Sequence, residues 1–483
     1  MSLTGTLSNA LSGLTASSRN VEIVSSNIAN ARTEGYAARE LELAARVVGG
    51  NGGGVAMAGV TRREDPALIA ERRAASGDRA TAAPLAEYLA GLEREIGEPG
   101  QAGALGEAYS RFATALTAAE SRPDSSPRLA EVLDAARTLA EKINGLGRHV
   151  QSRREAAEAT IAGDVARLNE GLAEVARLNA EIMRFSGGGD ASALFDRRRS
   201  VIDEINEIVP VREVPRQHGQ VALLSPGGAQ LVDGTAASFE FQPAGLIVPE
   251  MTLASTGLAP LTRDGVPVAT GPGGPLAGGR LAAAFATRDV HAPASQARLD
   301  ALARDLVERF EATAADPSRA PGAPGLFTDA GDPLDPATET GLAGRLAINA
   351  LADPGQGGAL WRLRDGLGAT VPGAAGNPAG LMALSAALDA PRVPGSGDFA
   401  GTARSAGGLA SDLLSAVSRD RLAADRALAT ATARDGGLRE LELAQGVDTD
   451  AELQTLLRVE QAYAANAKVI QTVEDLLDLL MRL

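Results

Sequence analysis

MSLTGTLSNALSGLTASSRNVEIVSSNIANA, residues 1–31, and LLRVEQAYAANAKVIQTVEDLLDLL, residues 456–480, carry the clearest periodicity of the 483-residue chain. In the first, Leu7, Leu14, Val21 and Ile28 recur every seven residues, with Leu3, Ala10, Ser17 and Val24 on the companion position. In the second, Leu456, Tyr463, Ile470 and Leu477 do the same beside Val459, Asn466, Val473 and Leu480. An apolar repeat of that spacing is the seam of a helix that packs on another helix. Matched length and spacing make each terminus the partner of the other. At ~1.5 to 3 kcal/mol per fully buried large side chain, the seam offsets only part of an ordering entropy of about 1 to 2 kcal/mol per residue. The ends are therefore expected to be poorly ordered in the free chain and to fold on assembly.

Between Met1 and Ala31 only Arg19 and Glu22 are charged, and Ser, Thr and Asn fill most positions off the stripe. A solvated helix face carries Lys, Glu and Arg. An uncharged face of small residues suits contact with several neighbouring subunits.

The rest of the chain divides by pattern. Gly35 and Tyr36 mark a stop and a turn, and Gly49 to Gly54 read as a loop or hairpin tip. Helical patterns run from about Pro66 to Gly145 and from Arg153 to Phe185, and again from Leu194 to Ile208. From Pro210 to about Gly279 short apolar runs alternate with turn signals, including VALL and AQLV around SPGG and the Asp264-Gly265 turn. Helical periodicity returns at Leu299, Leu302, Leu306 and Phe310, then from about Leu409 to Thr432. The expected fold is mainly α with a β-rich insert, in nested domains. Residues 1–65 and 435–483 form a terminal coiled-coil domain, and 66–210, 280–316 and 400–434 an α-rich middle domain. Residues 211–279 form the β-rich insert, and 317–399 variable outer loops and short helices.

Composition excludes several function classes. The net charge of −15 repels nucleic acid and anionic lipid. Absence of cysteine removes disulfides, thiolate nucleophiles and sulfur-ligated metals. No Sec-type signal peptide and no membrane span is readable. His149, His218 and His291 lie in segments of different type, with no spacing that puts two metal ligands on one face. Neither a phosphate-binding loop nor GxSxG is present. The expectation is a non-enzyme with no catalytic residue, cofactor or metal site.

The two ends carry longer motifs. SSNIANARTEGY, Ser25 to Tyr36, closely resembles a signature near the N-terminus of flagellar rod, hook and hook-associated proteins, with Glu34 where that signature has proline. GVDTDAELQTLLRVEQAYAANAKVIQT, Gly446 to Thr472, resembles the C-terminal signature of the same group. ALFDRRRSVIDEINEIVPV, Ala193 to Val211, is similar to a segment of the hook-filament junction family, the first hook-associated proteins. Within the signature, Asn27 and Asn30 suit helix-end geometry, Gly35 a conformation that β-carbons disfavour, and Tyr36 an anchor where the chain turns outward.

The resemblance implies a structural part of the bacterial flagellum. It implies export in unfolded form by the flagellar type III route, and a secreted, extracellular location at the hook-filament junction. It implies a ring of about eleven subunits at the hook tip. The partners are then hook protein, a filament-side hook-associated protein, and an export chaperone on the C-terminal helix; nine acids against three bases from Glu440 onward would steer that last encounter. A hook or distal-rod protein shares both terminal signatures and is the alternative within the same machine. A secreted hydrolase carried on flagellar termini is the alternative of another class.

Overall fold

A computed structural model describes residues 3–33, 35–48, 51–185, 190–255, 257–399 and 401–482. Gly49, Gly50 and Glu34, read above as loop and signature positions, lie outside these, as do residues 186–189 between two of the helical patterns. Helix α1 (Leu3–Asn30) leads into an antiparallel hairpin of β1 (Ala38–Val48) and β2 (Asn51–Arg63). Four helices follow: α2 (Pro66–Ile96), α3 (Leu105–Ser121), α4 (Ser126–Phe185) and α5 (Ser192–Ile208). Strands β3 (Arg212–Pro215), β4 (Val221–Leu224), β5 (Gln230–Asp233) and β6 (Thr235–Ala236) form a meander, and β7 (Phe239–Glu240), β8 (Thr262–Arg263) and β9 (Val266–Pro267) a second small sheet. Helix α6 (Gly279–Ala286) passes through a π turn into α7 (Ala292–Glu311). The outer region holds β10 (Phe327–Asp329), α8 (Leu342–Arg345), β11 (Leu346–Ile348), α9 (Arg362–Asp365) and α10 (Ala379–Asp389). Helices α11 (Ala406–Ala444) and α12 (Thr449–Arg482) close the chain. The fold is mainly helical with a β-rich insert, as the sequence implies.

Three differences from the sequence reading have physical reasons. Residues 38–48 and 51–63 are two long strands, whereas the sequence reads only their tip as hairpin. The alternation in ARELELAARVV is real but diluted by alanines, and glycines weaken the return strand. Second, α4 runs unbroken for 60 residues, about 90 Å at 1.5 Å per residue, where two helices were expected. Gly147 falls in the anticipated gap, yet it packs rather than terminates: a β-carbon there would sit 3.3 Å from the Gly344 amide nitrogen. Third, α11 continues well past Thr432, to Ala444.

Local signals position the body, residues 66–444. Asp65 caps α2, accepting from the amides of Ala67 at 3.0 Å and Leu68 at 3.2 Å, with Pro66 in the first turn. Helix α4 threads two apolar cores. Its first half, through Leu139, Ile143 and Val150, joins α3, α7, α11 and the outer region; its second half, through Ile161, Leu168 and Leu172, joins α5, α6 and the small sheets. In the first core Phe112, Phe310 and Phe327 meet with ring centroids 5.1 to 5.9 Å apart, tying α3, α7 and β10 together.

Phe112→Ala is expected to destabilise the body by about 3 to 5 kcal/mol, the range for emptying a buried aromatic site. Urea unfolding followed by circular dichroism measures it; a loss under about 1 kcal/mol contradicts this packing.

Candidate assembly surface

Helices α1 and α12 pack antiparallel, with the hairpin against another side of α1. Two contacts fix the register. Asn27 bonds Glu452 at one end, and Gly13 lies against Asn466 two heptads further on, where a β-carbon would come within 2.7 Å of the Asn466 carboxamide. The hairpin approaches α1 as closely: a β-carbon on Gly54 (φ +89°) would lie 3.2 Å from the Asn9 Cα. The Ser12 hydroxyl accepts from the Val55 amide at 3.1 Å.

The burial of the sequence-derived stripes is uneven. On α1 the companion residues Ala10, Ser17 and Val24 are buried, together with Ala16, Ile23 and Asn27, while Leu3, Leu7, Leu14, Val21 and Ile28 are half-buried. The buried face is rotated toward the hairpin, which the sequence reading did not include. On α12, Val459 and Val473 are buried and Leu456, Asn466 and Ile470 half-buried, whereas Tyr463, Leu477 and Leu480 are exposed. In this register Leu477 and Leu480 lie past Leu3, the first described residue of α1. Leu453, Leu457, Val469, Leu476 and Leu479 are also exposed, so α12 presents apolar side chains along its whole length.

The signature turn is a hydrogen-bonded hub. Asn27 is fully buried; its amide donates to the Arg39 carbonyl and to Glu452 Oε1, both at 2.9 Å. Its oxygen accepts from the Arg39 amide at 3.0 Å and the Tyr36 hydroxyl at 2.8 Å. Asn27 therefore joins α1, β1 and α12 rather than capping a helix end. Asn30 turns back on its own helix, donating to the Ser26 carbonyl at 2.9 Å. Gly35 has φ +82°, and the Tyr36 ring packs under the Arg39 guanidinium at 4.9 Å. Glu452 and Arg39 went unnoticed in the sequence; Glu452 sits inside the C-terminal motif, and only the fold shows that it faces Asn27.

Burial pushes the Glu452 carboxyl above its ordinary value of 4.5; the Asn27 hydrogen bond and Arg63 oppose the rise, Glu40 and Asp448 add to it. Between the ordinary and the raised value the folded chain holds a proton that the unfolded chain has released. Stability of the terminal layer (α1, the hairpin and α12) therefore falls as pH rises through that window and levels off above it. Urea midpoints across this range should show the slope, and Glu452→Gln should abolish it. Asn27→Ala leaves several buried partners unmet and is expected to cost about 1 to 3 kcal/mol, read by amide exchange in α1, β1 and α12.

Comparison with known proteins supplies the context. The family model for the helical domain of flagellar hook-associated protein FlgK matches residues 89–326. The flagella basal body rod protein model matches residues 7–36, and the C-terminal model of the flagellar basal body rod FlgEFG proteins matches residues 444–483. Flagellar hook-associated protein 1 of Salmonella typhimurium is 25% identical over 239 residues, 48% of this chain and 43% of that one. Its Escherichia coli K12 counterpart is 23% identical over the same shares. The match thus spans less than half the length of these relatives. The flagellar hook junction protein FlgK from Burkholderia pseudomallei aligns with a TM-score of 0.43 at 20% identity, over 55% of this chain and 46% of that one. The two rod-type motifs meet in space at the Asn27–Glu452 contact, and between them in sequence the chain carries a stretch that matches the FlgK helical domain, so in all three parts it is similar to the rod, hook and hook-associated axial proteins.

Proposed function

We propose that this chain is a structural, non-enzymatic subunit of the bacterial flagellum that assembles at the hook tip and joins hook to filament. In this reading residues 1–65 and 435–483 form the inner, channel-lining layer of a ring of about eleven copies, contacting hook protein on one side and a filament-side hook-associated protein on the other. Residues 66–210, 280–316 and 400–434 form the middle domain, with 211–279 and 317–399 outermost. The chain travels unfolded through the flagellar type III route to an extracellular position, its α12 covered by an export chaperone.

One observation carries the proposal. Nine large apolar side chains of α12 remain exposed within the isolated chain, among them Leu457 at 59% and Leu479 at 60%. Exposed large apolar side chains in that number on one helix offer a surface for a neighbouring chain to cover. The FlgK and rod-type matches favour neighbours within a flagellum.

Leu457→Ser with Leu479→Ser should leave the monomer's unfolding within ~0.5 kcal/mol of the parent, as exposed substitutions do, while abolishing filament attachment in motile cells. Normal filaments on that variant would overturn the role given to α12. Electron microscopy of a tagged chain on isolated flagella should show one narrow band at the hook tip; labelling of the whole hook would instead favour a hook protein.

A further inference from the structure

A ladder of alternating charges runs from the terminal layer into the body, crossing between them at Asp190 and Asp196. Helix α5 presents Asp196, Arg199 and Asp203 on one face. Asp196 accepts from Arg39 of β1 at 2.7 Å and Arg62 of β2 at 2.5 Å. Those two arginines lie directly opposite each other across the hairpin. Arg199 reaches Glu64, between β2 and α2, at 3.3 Å, and Glu442 near the end of α11. Glu442 also takes Arg72 at 2.6 Å, and Asp203 takes Arg72 at 2.6 Å and Arg73 at 2.5 Å. Arg73 goes on to Glu213 of β3. At the start of α5, Arg19 of α1 pairs with Asp190 at 2.9 Å.

Three observations set this junction apart. Among the described residues, neither apolar core contains one from α1, the hairpin or α12. Cavities flank the ladder on both sides: one of about 510 Å³ beside Tyr36, Arg72 and Glu442, the other of about 710 Å³ beside Arg62, Arg73 and Phe195. Finally, Arg39 and Arg62 are like charges in a directly opposed cross-strand pair, an arrangement that repels without a carboxylate between them.

We propose that the ladder is a swivel: the terminal layer pivots on the body about α5, and the Asp196 carboxylate is the bolt that holds it at one angle. Apolar packing would lock the two parts in one arrangement, because close-packed cores do not deform continuously. Ion pairs between long side chains, with open space beside them, re-pair without leaving an apolar gap. This inference concerns the isolated chain and does not depend on the flagellar reading.

The absence of cysteine makes the test direct. Spin labels at Ala44→Cys in the hairpin and Thr114→Cys in α3 report the angle as a distance distribution; a Thr114→Cys, Glu170→Cys pair reports the body alone. The Ala44–Thr114 distribution should broaden roughly twofold in Asp196→Asn and in about 1 M salt, where the screening length falls to ~3 Å. Asp196→Glu should restore the narrow form, and the body pair should stay unchanged throughout. A narrow, unmoved Ala44–Thr114 distribution in Asp196→Asn and at high salt would overturn the swivel. Broadening of the body pair as well would also overturn it, by showing that Asp196 holds the body's own structure.

Discussion

The terminal layer depends on filling the hydrogen-bond capacity of one buried carboxamide. Helix α1 is made mostly of Ser, Thr, Asn and small apolar residues, and its most buried positions include Ala10, Ala16 and Ser17, which offer little area for the hydrophobic effect to act on. Asn27 supplies what area does not. Its two N–H groups and its oxygen are all engaged, with partners on β1, α12 and Tyr36. Displacing any one partner leaves a buried polar group unmet, which costs more than the bond itself contributes. The hub thus holds the relative position of the elements around it, and the Gly13–Asn466 approach two heptads away keeps α12 in the same register.

The pairing of the two ends is readable in the sequence because a heptad repeat is a property of one helix and needs no knowledge of its surroundings. Which residues of α1 are buried is not readable, because that depends on a third element. Once the hairpin lies against α1, Ile23 and Asn27 move inside and the Leu7-Leu14-Val21-Ile28 stripe becomes the edge of the contact. The hairpin itself was masked by alanine and glycine, which carry little strand preference. The charges of Ala193–Val211 look like a solvated helix face for a comparable reason. Asp196 and Asp203 meet partners 130 or more residues away in sequence, and only the fold reveals them.

The outer region shows the same limit from the opposite side. Residues 317–399 read as variable loops, since stretches at both ends of them are rich in Pro, Gly, Asp and Ala, yet Leu326, Phe327, Leu342, Leu381 and Leu388 enter the first core. With aromatics only 3% of the chain, the largest fully buried side chains are arginines, Arg154, Arg288 and Arg309. Arg309 pairs with Asp305 at 2.6 Å and donates to the carbonyls of Ala387 and Arg404, fixing the path between α10 and α11. Arg154 does likewise for the stretch between β7 and β8, through the carbonyls of Val248 and Met251. A buried guanidinium with five donors can satisfy irregular backbone that no strand pairs. In sequence such a residue is indistinguishable from a surface arginine.

Cohesion in the molecule is therefore of two kinds, and their magnitudes decide what sets the angle of the terminal layer. The body is closed by two apolar cores and by arginines bonded to backbone, neither of which a neighbouring molecule can readily replace. The layer is tied on by ion pairs; pairs with solvent access contribute ~0 to 1 kcal/mol each, and the arginine ends here are shielded enough to lie toward the upper end of that range or above it. Most of the exposed side chains of α12 are already about half covered, so each gains roughly half of the ~1.5 to 3 kcal/mol of a fully buried side chain when a neighbour covers it. Burying three or four of them against a neighbour outweighs the Asp196 bolt and its two arginines. In any assembly that covers α12, the contact with neighbours and not the joint within the chain governs where the terminal layer points, and the body can keep its own packing unchanged while the layer conforms to whatever lies next to it.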